Sequence, residues 1–158
     1  MAYTVRQFTE VDAQALADIT LAAIRAVGAR HYSSEQVDAW AARHPGPRRF
    51  LERARGGSHI LVAADHDDLA VAYSLLEPDG HLDMLFCHPD HTRRGLADDL
   101  LGFSERHARR EGITRLYTEA SELARPVFER AGYALQHRRE FEIDGIAIHN
   151  YAMEKPLA

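Results

Sequence analysis

Apolar and polar residues alternate from Tyr3 to Phe8, the period of a first strand, after which the period lengthens. Thr9-Glu10-Val11-Asp12 offers a cap with an acid three residues later, and the apolar stripe Leu16, Ile19, Ala23 and Val27 predicts the helix it opens. Ser33-Ser34-Glu35-Gln36 is a second capping box, ahead of Val37, Trp40 and Ala41 at helical spacing. His44-Pro45-Gly46-Pro47 breaks that helix, and Arg48 to Arg55 forms another short one before Gly56-Gly57. From Gly57 the pattern changes to strand-like runs, Ile60–Ala64, Leu69–Tyr73 and Leu82–Cys87, joined by Asp65-His66-Asp67-Asp68 and Glu77-Pro78-Asp79-Gly80. Their tight connections predict antiparallel pairing.

A helical stripe through Leu96, Ala97, Leu100, Leu101, Ser104 and Ala108 ends near Gly112. Thr114–Glu119 reads as a strand and Glu122–Ala131 as a helix. Tyr133–Phe141 and Ile146–Met153 flank Ile143-Asp144-Gly145, a hairpin signal. The order of strand, helices, three strands, helix, strand, helix and hairpin predicts an α+β fold, a mixed sheet covered by helices, over residues 1–158 as a single domain.

Composition narrows the function more than the fold. A net charge of -5 is the wrong balance for a general nucleic-acid binder, whose affinity comes from neutralising phosphates. No apolar run approaches the roughly 20 residues of a membrane span, and the N-terminal residues lack the apolar core of a secretory signal. Cys87 is the only cysteine, which excludes an intrachain disulfide and a multi-cysteine metal site and suits a reducing, cytoplasmic setting. His88-x-x-His91 straddles a proline turn rather than one helix face, so no metal is expected. Lys155 is the only lysine, and the remaining cations are arginines, which favour forked recognition of anions.

The most informative stretch runs from Leu82 to Ala97: a strand that stops at Pro89 and turns through Thr92-Arg93-Arg94-Gly95 into a helix. Unpaired N–H groups and the positive end of the helix dipole form an anion site there, and Gly95 lets a ligand approach the backbone. No Gly-Lys-Ser/Thr follows, so this is not a P-loop, and the further glycines of a dinucleotide fingerprint are absent.

His88 to Leu101 resembles motif A of the GNAT superfamily of acyl-CoA-dependent N-acetyltransferases. Thr118 to Tyr133 is similar to that family's fifth strand and fourth helix, closed by a Gly-Tyr pair. Tyr32 to Trp40 and Asn150 to Leu157 resemble a bacterial YafP-like subgroup that is uncharacterised. The resemblance implies a central, mostly antiparallel sheet of about seven strands with a splayed cofactor cleft between strands four and five. It implies acetyl-CoA as acyl donor, a small-molecule or protein amine as acceptor, and direct attack of that amine on the thioester. Cofactor contacts are implied at Leu85, Phe86, Cys87, Thr92, Arg93, Arg94, Gly95, Leu96, Ala97, Ser121 and Phe128. Acceptor contacts are implied at Tyr32, Trp40 and Glu119, with Gln36 also facing that side.

Two positions depart from the family pattern. Thr92 stands where an Arg or Gln opens the glycine motif, and Phe128 stands where a tyrosine often protonates the leaving thiolate. The departure at Phe128 supports an alternative, an acyl-CoA-binding sensor without turnover. By the period of two, His81, Asp83, Leu85 and Cys87 share one strand face, which makes His81 and Asp83 candidate bases, with Glu119 a third. Tyr151 is a candidate to donate a proton or orient the amine. Cys87 reads as a small buried hydrophobe rather than a nucleophile. Acidic residues on the helical side favour a cationic acceptor, and the terminal hairpin offers an edge for a homodimer.

Overall fold

The change of period at Gly57 is a true boundary in the computed structural model, which describes residues 2–26, 28–44 and 46–158. Val27 and Pro45, placed above in a helix stripe and a helix break, lie outside the described residues. Strand β1 (Thr4–Gln7) leads into a short 3-10 turn and helix α1 (Ala13–Ala26). The predicted cap forms at that turn, with the Thr9 amide donating to Asp12 at 2.8 Å. Helix α2 (Ser34–Ala42) opens on Ser33, which accepts from the Gln36 amide while the Gln36 side chain accepts from the Ser33 amide. Helix α3 (Arg48–Arg55) follows.

Strands β2 (His59–Ala64), β3 (Ala70–Leu76) and β4 (Leu82–Cys87) pair antiparallel with β1 in the order β1-β2-β3-β4. Helix α4 (Leu96–Arg110), strand β5 (Arg115–Ala120), the short helix α5 (Arg125–Arg130) and the hairpin β6 (Ala134–Ile143) and β7 (Ile146–Pro156) complete the chain. These last three strands form a second sheet ordered β5-β7-β6. The seven strands are therefore hydrogen-bonded as four plus three rather than as one sheet. Helix α5 is shorter than the predicted Glu122–Ala131, because Ser121 to Ala124 form a turn before Pro126 sets the first helical turn.

Every residue of β3 is buried, so both of its faces are covered. Leu16, Ile19, Phe50, Tyr73 and Leu75 fill one side beneath α1 and α3, while Val71, Ala72, Leu96 and Leu100 fill the other beneath α4. Each fully buried leucine contributes roughly 1.5–3 kcal/mol. Tyr73 satisfies its hydroxyl with Thr20, and Ser74 pairs with Ser104, so these core polar groups do not go unpaired.

The sheets meet where β4 and β5 begin. A single parallel bridge joins His81 to Tyr117, the Tyr117 amide donates to the Gly80 carbonyl at 3.1 Å, and Thr118 Oγ1 donates to the Leu82 carbonyl at 2.7 Å. Gly80 is required at this junction. Its φ is 101°, and a Cβ would stand 2.1 Å from the Arg115 carbonyl oxygen. Beyond it β4 and β5 make no ladder, and the cleft expected between strands four and five opens there.

A bulge in β4 overturns the expected strand face. Leu76 pairs with Leu82 and Leu75 with Met84, which leaves Asp83 as the extra residue. The alternation reverses across it: Leu82, Leu85 and Cys87 pack toward α4, whereas Met84 and Phe86 join the core beneath α1. Asp83 reaches Arg53 on α3, so it does not share the face of Leu85 and Cys87.

Candidate active site

Two cavities open from the cleft. The first, about 560 Å³, lies against the β4–α4 loop. Pro89 stops β4, and the chain turns through Arg93 (φ 62°) and Gly95 (φ 76°) before α4 begins. Gly95 caps α4 without a side-chain hydrogen bond, and the amides of Gly95, Leu96, Ala97 and Asp98 donate to no group among the described residues. The first helical bond is Asp99 N–H to the Gly95 carbonyl. Four unpaired N–H groups at the positive end of a 15-residue helix favour an anion. A Cβ at Gly95 would meet nothing within 4 Å, so the approach to those amides is open.

Thr92, Arg93, Gly95, Leu96 and Ala97 line this cavity, as do Leu85, Phe86, Cys87 and Ser121. Two predicted cofactor contacts fall elsewhere. Arg94 is exposed and lines neither cavity, and Phe128, buried in the core, lines the second one. The Cys87 thiol points its hydrogen at the carbonyls of His88 and His91, and burial pushes its pKa up to about 11, which removes it as a nucleophile. His88 accepts from the Asp90 amide and His91 bonds the Tyr3 hydroxyl, so these two histidines serve separate local structures.

The second cavity, about 480 Å³, lies on the hairpin side. Trp40, Leu85, Phe86, Ser121 and Ala124 line both cavities, so the two meet where β4 and β5 part. Ser121 also caps the turn before α5, accepting from the Ala124 amide at 3.2 Å. Tyr32, Asp83 and Glu119 line the second cavity. Gln36 instead donates to the Ala147 carbonyl and ties α2 to the hairpin.

The predicted bases are already engaged. Asp83 stands 2.9 Å from Arg53 Nη2, which also approaches Glu77 at 3.6 Å. His81 is clamped through both ring nitrogens, Nδ1 to Glu77 at 2.6 Å and Nε2 to Glu119 at 2.7 Å, and its ring stacks on Tyr117. Burial alone would lower its pKa, but the bonds to Glu119 and Glu77 outweigh that and hold it at about 9. At pH 7 it is an imidazolium with no free lone pair, and it lines neither cavity. Glu77, His81 and Asp83 have the proximity of a metal site, but a guanidinium and an imidazolium already supply the positive charge there.

Tyr151 also lines neither cavity. Its hydroxyl donates to Glu122 at 2.5 Å, and Arg125 lies over its ring. The same Glu122 oxygen accepts from His149 Nε2 at 2.7 Å, and His149 is among the residues lining the second cavity. His149 was not singled out from the sequence. The available signal was its spacing from Tyr151: two residues apart on a strand, both side chains reach the same carboxylate. Arg43, His44, Arg49, Arg139 and Glu142, assigned no site role from the sequence, line this cavity too.

Two cavities that meet at one junction, one of them beside unpaired helix amides, suit an enzyme that brings two ligands together. Residues 28–155 match the family described as Acetyltransferase (GNAT) domain, and the chain belongs to that family. It is 30% identical over 149 residues to the uncharacterized N-acetyltransferase YafP of Escherichia coli K12, covering 94% of this chain and 93% of that protein. It is also similar to a GCN5-related N-acetyltransferase from Rhodopseudomonas palustris, with 32% identity, a TM-score of 0.88 and coverage of 99% and 97%. The PaiA N-acetyltransferase of Thermoplasma acidophilum, solved in complex with coenzyme A, shares the fold at a TM-score of 0.79 and 16% identity, covering 99% of each chain.

These relatives support N-acetyl transfer and not the alternative of a sensor without turnover. Phe128, the main ground for that alternative, is a wall residue of the second cavity. No helix among the described residues is long and apolar enough to cross a membrane.

Proposed function

We propose that the chain works as one acetyltransferase domain, taking acetyl-CoA in the cavity beside α4 and passing its acetyl group directly to the primary amine of a small molecule in the hairpin-side cavity. The observation that carries this reading is the junction itself: unpaired helix amides at one end, a half-open space of about 480 Å³ at the other, and shared walls at Leu85 and Phe86. That volume suits a small ligand better than a protein segment. The amides from Gly95 to Asp98, with Arg93, suit a pyrophosphate, and Leu85, Phe86, Cys87 and Ser121 would flank the pantetheine arm. A thiol as unreactive as Cys87 disfavours an acyl-enzyme, so one-step transfer after near-attack placement is the simpler course. A cytoplasmic setting, which keeps the single thiol reduced, fits this reading.

The charges lining the acceptor space favour an amine that also carries an anionic group. Asp83 is satisfied by Arg53 and Glu119 by His81, so neither is free to attract a cation. Arg43 and Arg49 have no carboxylate partner among the described residues, and Arg139 bonds only the Asn150 side chain. Glu142 is the one cavity carboxylate without an ion-pair partner among the described residues, against three such arginines.

The test pairs a thermal shift with thiol release. Acetyl-CoA at about 100 times its Kd adds roughly 2.7 kcal/mol to stability. Release should then be faster with phenylalanine than with phenethylamine, and faster with β-alanine than with propylamine. Equal or faster release with the carboxylate-free amines overturns the acceptor class. Stabilisation by acetyl-CoA without release for any amine overturns the transferase reading.

A further inference from the structure

Accepting the acetyltransferase reading, we infer that His149, oriented by Glu122, is the base that takes the proton from the acceptor ammonium. It lines the acceptor cavity and has a carboxylate that fixes its tautomer. Glu119 is occupied by His81 and Asp83 by Arg53. His44 also lines the cavity, but its ring sits edge-on to Phe86 with no hydrogen-bond partner among the described residues, and burial lowers its pKa.

Two side chains hold one oxygen of the Glu122 carboxylate, and the Glu122 backbone is anchored separately. Tyr151 Oη donates to Oε1 at 2.5 Å, His149 Nε2 meets the same oxygen at 2.7 Å, and the Glu122 amide donates to the Tyr32 hydroxyl at 2.9 Å. Tyr32 in turn donates to the His149 carbonyl at 3.2 Å, tying strand β7 to the turn before α5. Donation by Tyr151, outweighing desolvation, keeps the Glu122 pKa below the ordinary carboxylate range, so Glu122 is an acceptor only. Nε2 must then carry the hydrogen, which leaves the Nδ1 lone pair free, with no partner among the described residues. A carboxylate that fixes the tautomer and supports the imidazolium is the arrangement a histidine base needs.

Other charges surround the pair. Glu140 lies opposite His149 in the β6–β7 register and, like Glu122, is a carboxylate. The cations are Arg125 over Tyr151, Arg138 opposite Tyr151 and Arg139 opposite Asn150, with Arg125 bonded to Glu129, Arg138 to Glu140 and Arg139 to Asn150.

The proton and electron count closes without another reactant. Nδ1 of His149 takes one proton from the ammonium, and the freed nitrogen lone pair forms the N–C bond at the thioester carbonyl. The C–S bond breaks with its electron pair on sulfur, and the second nitrogen proton ends on that sulfur, giving the amide and free thiol. The imidazolium returns its proton to solvent.

The experiment compares His149→Asn and Glu122→Gln with the unaltered protein across pH 6 to 9.5 at saturating acetyl-CoA. It uses the fastest amine of the panel above and aminooxyacetate, whose nitrogen is already neutral at pH 7. For the alkylamine, His149→Asn should lower kcat about 10²- to 10³-fold and abolish the acid limb of the profile. With aminooxyacetate the loss should shrink to under about tenfold, and acetyl-CoA affinity should stay within about twofold. Glu122→Gln should move the acid limb to lower pH. An equal loss with both nucleophiles, an unmoved limb in both variants, or a limb that survives in His149→Asn and vanishes in His44→Gln overturns the assignment. If the unaltered protein binds acetyl-CoA but acetylates no amine, the transferase reading falls and this assignment falls with it.

Discussion

On the α4 side of the cleft the groups offered to a ligand are chiefly main-chain N–H groups of four consecutive residues, Gly95 to Asp98. On the hairpin side they are side chains drawn from α2, α3, β4, β5, β6 and β7, from Tyr32 to Asn150. The first site needs only a glycine, a helix start and freedom from capping. The second needs a network of charges, with Arg53 on Asp83, His81 between Glu77 and Glu119, and Glu122 between Tyr151 and His149. On the proposed reading, a donor common to many enzymes would be met by backbone, and the particular acceptor by side chains that must be balanced against one another.

The largest expected effect probes that balance through pH. The folded-state pKa of His81, about 9, lies above its ordinary 6.5, so folding tightens proton binding. Its contribution is full below about pH 6.5 and is lost as pH rises through 9. His81→Gln should cost up to about 3 kcal/mol at pH 6, the equivalent of that shift, and much less at pH 10. Chemical denaturation across that range measures the difference. A constant difference between the two proteins would show that the clamp does not hold a proton, and the contrast between a charge-built and a backbone-built site would weaken.

The second effect sharpens the other half of the comparison. Gly95 holds φ 76° with open space around its missing Cβ. Gly95→Val would strain a β-branched residue in the left-handed region and fill the approach to the helix amides. Acetyl-CoA affinity should fall about 100-fold, close to 2.7 kcal/mol, while far-ultraviolet circular dichroism is unchanged. Calorimetric titration giving a Kd within threefold of the parent would mean that the donor is not bound at those amides.

The same contrast explains what could be read before folding. The β4–α4 loop was legible as a local unit: Pro89, Gly95 and the stripe from Leu96 to Ala108 lie within one strand–loop–helix segment. Capping boxes at Thr9 and Ser33 and the Asp144-Gly145 turn were legible for the same reason, since each acts over a few residues. The face of β4 was misread because one bulge at Asp83, stabilised by tertiary contacts, reverses every later position. His149 and Glu122 were missed because they are 27 residues apart and meet only when β7 pairs with β5. Arg53 gives no sign in its own helix that it will neutralise an acid on β4.

The smallest effect separates two adjacent arginines. Both are exposed, but Arg93, with φ 62°, lines the α4-side cavity and Arg94 lines neither. An exposed guanidinium near a phosphate is screened by water, so its contribution should be about 1 kcal/mol rather than the larger value of a buried pair. Arg93→Ala should therefore raise the acetyl-CoA Kd about fivefold, and the loss should shrink as salt rises because the Debye length contracts from about 10 Å at 0.1 M to about 3 Å at 1 M. Arg94→Ala should change it less than twofold at any ionic strength. If the two variants lose affinity equally, the loop attracts its ligand by net charge alone, and the residue-by-residue geometry of this side matters less than the amides behind it.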